Sequence, residues 1–304
     1  MIITCEQCST RYRLAEDILE EPSLKVRCHK CSHKFTVYRA ELDDDSFLLQ
    51  DEVQHDYNRI IAVSNQKGGV AKTTTSMNLG AAFAQMGKRV LLIDFDVQAN
   101  LTMLLGFRKA RSFYEVLETG IEDIDEVVVH TKYPNLSLLP ANSKMALLKK
   151  KYLSQHRFEY LLQDRLKSIE KNYDHILIDT PPSIEFFTLN ALVAANIVVI
   201  PSTCEYLAMH GVRQVHNIMN VLKKGINRDV ECRVLLTMYN DKNTSEKVIY
   251  DKLRHKYRKN IFKTVIEADD KIQESQIVNA PISYYANTSR AAIQYMDLAK
   301  EIVE

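Results

Sequence analysis

From residue 58 onward, short apolar runs that are continuous rather than alternating are separated by stretches of helical period, and no other feature constrains the fold as much. The runs are Ile60–Ser64, Val90–Asp94, Leu136–Pro140, His175–Asp179, Ile197–Pro201, Val234–Met238 and Ile261–Ile266. They are rich in leucine and β-branched residues, as strands buried on both faces of a sheet are. Helical patterns such as Thr74–Met86 and Phe158–Lys171 lie between most of them. This alternation predicts an α/β fold with a mainly parallel sheet and helices on both faces.

The 304 residues suffice for one large domain and a small one. Residues 1–39 form a cysteine module, 40–57 an acidic connector and 58–304 the α/β domain. The connector holds seven Asp/Glu and no Lys or Arg over 41–57, around a small apolar patch, Phe47-Leu48-Leu49, and reads as a solvated linker. It masks a mildly basic remainder within a formal net charge of +1, so the total charge neither favours nor excludes nucleic acid. No apolar run reaches the ~20 residues that span a bilayer. With no signal peptide before the first cysteine, the expectation is a cytoplasmic protein without a membrane anchor.

Four of the six cysteines form two C-x-x-C pairs, Cys5/Cys8 and Cys28/Cys31, separated by nineteen residues. That spacing presents four thiolates to one Zn²⁺ and leaves no open position, which makes the site structural. Tyr12, Leu14, Val26, Phe35 and Val37 are candidates for a small core around it, and His29 and His33 lie beside the last ligands. Cys204 and Cys232 are isolated and apolar-flanked, the pattern of buried, inert thiols.

The segment from Val63 to Thr75 follows the first strand and opens a helix. The G-x-x-x-x-G-K-[ST] pattern fails at both glycines, where Gln66 and Ala71 stand, but K-G-G-x-A-K-T survives. Gly68 and Gly69 let successive N–H groups turn toward one anion, and the helix beginning near Lys72 adds its dipole and free donors. Lys67, Gly68, Gly69, Val70, Ala71, Lys72, Thr73 and Thr74 are therefore the candidate ATP-binding residues, with Lys72 on the β/γ-phosphates, Thr73 on Mg²⁺ and Thr74 near the α-phosphate. Ala71 is expected to have ordinary helical dihedrals. Two strands end in carboxylates: Asp94 and Asp96 in one, Asp179, followed by Pro181 and Pro182, in the other. Hard oxygen ligands at these positions suit Mg²⁺, for which Thr73, Asp94 and Asp179 are the candidates. The prolines stiffen a plausible switch loop beside the γ-phosphate.

With a lysine ahead of the glycine pair, this loop resembles that of the ParA/Soj/MinD family of ATPases, whose fold is a P-loop NTPase-like sheet. With the N-terminal ribbon, the resemblance covers essentially the whole chain, the ribbon to about residue 40 and the ATPase from about residue 58. It implies that Lys67 reaches the partner's nucleotide in an ATP-sandwich homodimer, that Asp96 orients the attacking water, and that Lys67, Lys72 and Asp96 carry catalysis. Asp94 would support the metal shell. The family pattern D-x-D-P-Q has Val97 in place of its proline, which loosens that turn. A third strand ends near Glu205, expected to be structural or dimer-facing. Ile3 to Phe35 likewise resembles a short bacterial zinc ribbon.

Between Lys242 and Lys263 eight Lys/Arg face two acids, and Lys252, Lys256, Lys259 and Lys263 would share one face of a helix. The family resemblance implies non-specific DNA binding through basic residues of this region and places Lys242 and Lys271 near two such positions. It also implies a cytoplasmic, nucleoid-associated ATPase that positions or partitions DNA or other cargo, and a ParB-like or other partner that stimulates hydrolysis. The alternatives are a MinD-like ATPase for a pole, division or flagellar complex, and a regulatory scaffold in which ATP only sets a binding state. The segment Tyr295–Glu304, with three acids and one lysine, speaks against a MinD-type basic membrane helix.

Overall fold

The structure, a computed structural model, describes residues 59–304 except 122, 206–207 and 227–229. Within the first 58 residues it describes 2–5, 7–8, 10–13, 23–28 and 30–38. Leu14, His29 and the connector 40–57 lie outside the described residues. The chain separates into two compact units, Met1–Tyr57 and Asn58–Glu304.

In the first unit, β1 (Ile2–Thr4) pairs antiparallel with β2 (Arg11–Arg13), and β3 (Ser23–Arg27) with β4 (Lys34–Tyr38). Each hairpin connection carries one cysteine pair. Cys5 and Cys8 follow β1, and Cys28 and Cys31 follow β3.

The second unit is built on β5 (Arg59–Val63), β6 (Val90–Asp94), β7 (Val129–His130), β8 (Leu136–Leu139), β9 (His175–Asp179), β10 (Ile197–Ser202), β11 (Glu231–Tyr239) and β12 (Ile261–Glu267). They form one sheet in the order β12-β11-β10-β5-β9-β6-β8-β7, parallel except for the β7–β8 edge pair. Side chains of successive residues enter two different cores. Ile60, Ala62, Ile176, Ile178, Val198 and Ile200 pack on one face, and Ile61, Val63, Leu177 and Val199 on the other. Burial on both faces is why these strands read as unbroken apolar runs.

The helix Lys72–Gln85 is buried along most of its length. It packs on β6 and β9 on one side and on the helix Arg290–Val303 on the other. Gly80 permits the approach: a Cβ there would lie 2.6 Å from Leu92 Cδ2. The expected helix Phe158–Lys171 is broken into the 3₁₀ turn Phe158–Tyr160, the helix Leu161–Leu166 and the 3₁₀ turn Glu170–Asn172. The cause is tertiary. Asn190 donates to the Phe158 carbonyl at 3.0 Å and accepts from the Leu162 N–H at 3.0 Å, satisfying backbone groups that a continuous helix would pair internally.

Lys242–Lys263 is likewise not one helix. Asn243 caps Thr244–Tyr257, accepting from Ser245 and Glu246 N–H, and that helix carries Lys252 and Lys256, both exposed. Lys259 falls in the 3₁₀ turn Arg258–Asn260, and Lys263 in β12, where its N–H donates to Glu301. The four lysines therefore share no helical face. Among the described residues no helix is long and apolar enough to cross a membrane.

Candidate functional site

The residues from Ser64 to Lys72 form a loop held mainly by β10, beside β5, and by β11 beyond it. Ser64 N–H donates to the Val199 carbonyl at 3.0 Å. Asn65 Nδ2 donates to the Pro201 carbonyl at 2.6 Å, while Asn65 Oδ1 accepts the Lys67 N–H at 3.0 Å. On the far side Thr237 Oγ1 donates to the Val70 carbonyl at 3.2 Å. Gly68 and Gly69 are exposed, and a Cβ built on either would meet nothing within 4 Å, so the loop lies open where an anion would sit. Gly69 has φ 73°, a conformation that suits glycine.

Ala71 departs from expectation. Its φ of 62° and ψ of 34° are left-handed, not helical. It stands where the common phosphate-loop pattern has glycine, and the chain must reverse there to start the helix whose first N–H groups have no partner within it.

Lys72 is buried, and its Nζ donates to the Lys67 carbonyl at 3.2 Å, bridging the loop. Burial holds its pKa below the usual lysine value, against the pull of Asp179 and Asp96, so these three charges lie together. Asp94 and Asp179 are register partners at the ends of β6 and β9. Asp179 is fully buried: Ser76 Oγ donates to its Oδ1 at 3.0 Å, and its Oδ2 has no hydrogen-bond partner. Burial first, then the charge of Asp94, pushes its pKa up to about 8 against Thr73, Ser76 and Lys72. An orphaned buried oxygen on a carboxylate this costly to ionise fits a cation site.

Asp94, expected to support the metal shell, is held by the turn that follows it. Its Oδ2 accepts from Thr102 N–H (2.8 Å) and Thr102 Oγ1 (2.7 Å), and its Oδ1 from Asp96 N–H (3.2 Å). Burial raises its pKa to about 6 against these bonds. The carboxylate thus closes the turn from 94 to 102 itself, and the proline that Val97 replaces is not needed to tighten it. Asp96, also buried, accepts the Gln98 N–H at 3.0 Å on one oxygen. Thr74 is met by a residue the sequence did not single out: Gln276 Nε2 donates to its Oγ1 at 3.1 Å. Asn65 and Ser76 were equally silent, because their roles depend on partners far along the chain.

The other acids and bases divide. Lys67 forms an ion pair with Glu205, just beyond β10. Lys149 pairs with Glu185 at the end of the Pro181–Pro182 loop. Lys242 is exposed and, with Arg290, lines a 390 Å³ cavity; Arg290 and Lys271 line a neighbouring one of 590 Å³. Lys271 is engaged by Glu274 at 2.7 Å. Cys204 and Cys232 are buried, as expected.

In the first unit the four cysteine Sγ atoms lie within 4.8 Å of one another, with Cys5–Cys31 at 3.6 Å and Cys8–Cys28 at 3.4 Å. The edge of a zinc tetrahedron with Zn–S of ~2.3 Å is about 3.8 Å, so the cluster fits one ion. The Cys31 N–H donates to Cys28 Sγ at 3.4 Å, and Cys5 and Cys28 N–H close their turns on Thr10 and His33 carbonyls. These bonds fix the knuckles independently of the histidine side chains.

A parallel sheet with a glycine-pair loop between β5 and a buried helix, and aspartates at the ends of the adjacent strands β9 and β6, defines the P-loop nucleoside-triphosphatase class of fold. The AAA domain family matches residues 58–232 and a zinc-ribbon domain family residues 1–36. The chain is 40% identical over 248 residues to the sporulation initiation inhibitor protein Soj of Bacillus subtilis, covering 80% of this chain and 98% of that one. To the chromosome partitioning protein ParA of Myxococcus xanthus it is 33% identical over 249 residues, covering 81% and 88%. Among solved structures, a cobyrinic acid a,c-diamide synthase of Mycobacterium smegmatis with bound ADP and magnesium is 33% identical, with a TM-score of 0.70 over 81% of this chain and 94% of that one. A cell division ATPase MinD of Pyrococcus furiosus, 24% identical over 81% and 98%, shares the fold with a TM-score of 0.66. The chain belongs to the ParA/Soj family of ATPases and carries an N-terminal zinc ribbon.

Proposed function

We propose that this chain binds ATP with Mg²⁺ in the Lys67–Thr74 loop, hydrolyses it, and uses the bound state to join two copies into a DNA-binding homodimer that positions cargo. The observation that carries the reading is the buried Asp179 with its orphaned oxygen, set beside Lys72 and Thr73 under an open glycine loop.

The loop N–H groups and the helix N-terminus receive the phosphates, and Lys72 supplies a fixed positive charge. Asp179 and Thr73 would hold Mg²⁺, whose charge neutralises the phosphate oxygens. Asp94 shapes the turn that aims Asp96, and Asp96 orients water and accepts its proton. Lys67 serves the partner's nucleotide. Catalysis by such a site is mostly positioning and charge stabilisation.

DNA contact falls to the exposed Lys242, Lys252 and Lys256, and less to Lys271, which its own helix already pairs. A membrane-binding, MinD-like role is weakened by the helix Arg290–Val303, which buries Tyr295, Leu298 and Ile302 in its own domain. A hydrolysis-stimulating protein partner is part of the same proposal, which likeness to a relative named for chromosome partitioning supports.

The test is ATP turnover and sedimentation with Mg²⁺, with and without DNA, for the unmodified chain and Lys72→Ala. Turnover that DNA or a partner raises, and that Lys72→Ala abolishes, supports the reading. Nucleotide affinity unaffected by Lys72→Ala would remove it, and an ATP-bound state without turnover would favour the scaffold.

A further inference from the structure

Lys67 is tied to the β10 side of its own domain at several points. Its N–H is held by Asn65, whose amide is anchored on the Pro201 carbonyl of β10. Gly211, in the helix Ala208–Ile226, leaves room for Asn65: a Cβ there would lie 2.2 Å from Asn65 Oδ1. The Lys67 ammonium itself pairs with Glu205, between β10 and that helix and 138 residues away in sequence. The carboxylate is otherwise exposed, its side chain 62% accessible against 27% for Lys67. The hydrogen bond from the Lys67 ammonium holds the carboxyl below its ordinary range. Lys67 is thus directed toward Glu205 while its carbonyl holds Lys72 on the other side.

We infer that Glu205 is a positioning residue for Lys67: it parks the ammonium on its own subunit until the triphosphate of a second copy competes for it. The inference rests on the dimer reading above. The geometry gives the device its sign. A lysine already paired must leave its carboxylate, at least in part, to serve a phosphate across an interface, and the carboxylate so exposed repels that phosphate. Both effects raise the ATP and protein concentrations at which two copies join. The contact is a solvent-accessible ion pair, so the effect is small, about twofold to fivefold in an equilibrium constant.

The test uses the full chain with Glu205→Gln, which keeps the side chain's shape and removes its charge, and Glu205→Asp, which keeps the charge. Three quantities are read: the acylation rate of Lys67 in the nucleotide-free chain by mass spectrometry, the affinity for a fluorescent ATP analogue, and the concentration at which a non-hydrolysable analogue gives half-maximal dimer. The expectation for Glu205→Gln is faster Lys67 acylation and a dimer midpoint lowered about twofold to fivefold, with Glu205→Asp restoring both. Adding Lys67→Gln to Glu205→Gln should erase the gain. An unchanged or raised midpoint in Glu205→Gln, while the unmodified chain dimerises, would overturn the inference and leave the dimer reading standing. Lost nucleotide affinity in that variant would overturn it too, since the contact restrains the partner-facing lysine and not the loop. An unmodified chain that never dimerises with ATP would remove both, a result distinct from the other two.

Discussion

Ala71 allows a quantitative test of how the phosphate loop is built. It is the N-cap of the helix Lys72–Gln85 and has left-handed dihedrals, φ 62° and ψ 34°, with no side-chain cap. A non-glycine residue in that region is strained by roughly 1–2 kcal/mol, because Cβ crowds the following carbonyl. Replacing it with glycine removes the strain but gives the unfolded chain more freedom, a loss of about 0.4–1 kcal/mol. The balance for Ala71→Gly is a stabilisation of about 0.5–1 kcal/mol, or on the order of 1–4 °C in Tm for a domain of this size. Ala71→Val should act oppositely, since a β-branched residue tolerates positive φ least. It should lose more than 1 kcal/mol and weaken nucleotide binding, because relief of the strain would rotate the loop N–H groups away from the phosphates. Denaturant melts of the nucleotide-free chain measure both. If Ala71→Gly proved less stable than the parent, left-handed geometry at 71 would be refuted, and with it the account of how the helix N-terminus is aimed.

Two further outcomes follow from the buried charges and the thiols. Asp179 has its pKa raised to about 8 when folded, so between pH 4 and 8 the folded chain keeps a proton that the unfolded chain releases. The stability of the metal- and nucleotide-free protein should therefore fall as pH rises, by at most about 1.4 kcal/mol per unit, and level off above 8. Asp94 adds to the slope only up to about pH 6. Asp179→Asn should flatten the segment from 6 to 8 in urea melts; parallel curves for the two proteins would count against the buried-carboxylate account. For the thiols, the full chain should bind one zinc per chain, released by a strong chelator, with Co²⁺ giving a tetrahedral thiolate spectrum that Cys28→Ser abolishes. Two ions per chain, or a spectrum indifferent to Cys28→Ser, would contradict a single closed site.

What the sequence made legible follows from how local each cause is. The strand ends Asp94 and Asp179 could be located because both faces of their strands are buried, leaving an apolar run with an abrupt polar stop. The zinc ligands were legible from spacing, since each pair closes within its own hairpin turn. The break at Phe158–Lys171 was not, because Asn190 acts from another helix. Nor was the geometry at Ala71, where the residue type points one way and the turn requires the other. The basic stretch misled for a similar reason. Lysines spaced for one helix are divided when Ile261 and Phe262 enter the sheet as the start of β12.

Asp94 and Asp179 show how chemically identical strand ends acquire different tasks. They are register partners with the same residue type and nearly the same burial. Asp94 meets three donors supplied by the turn that follows it, so ionised Asp94 is satisfied within the chain and its work is to hold Asp96 in place. Asp179 is followed by Thr180, whose hydroxyl turns to the Val63 carbonyl at 2.9 Å, and then by two prolines, which have no N–H to offer. Its Oδ2 is left without a donor. In the absence of a ligand that carboxylate is most stable protonated; a divalent cation is the group that would make its charge favourable. On the proposed reading, the loop sequence after each strand thereby assigns the roles, one aspartate to architecture and one to the metal, and the prolines act by withholding hydrogen bonds as much as by stiffening the chain.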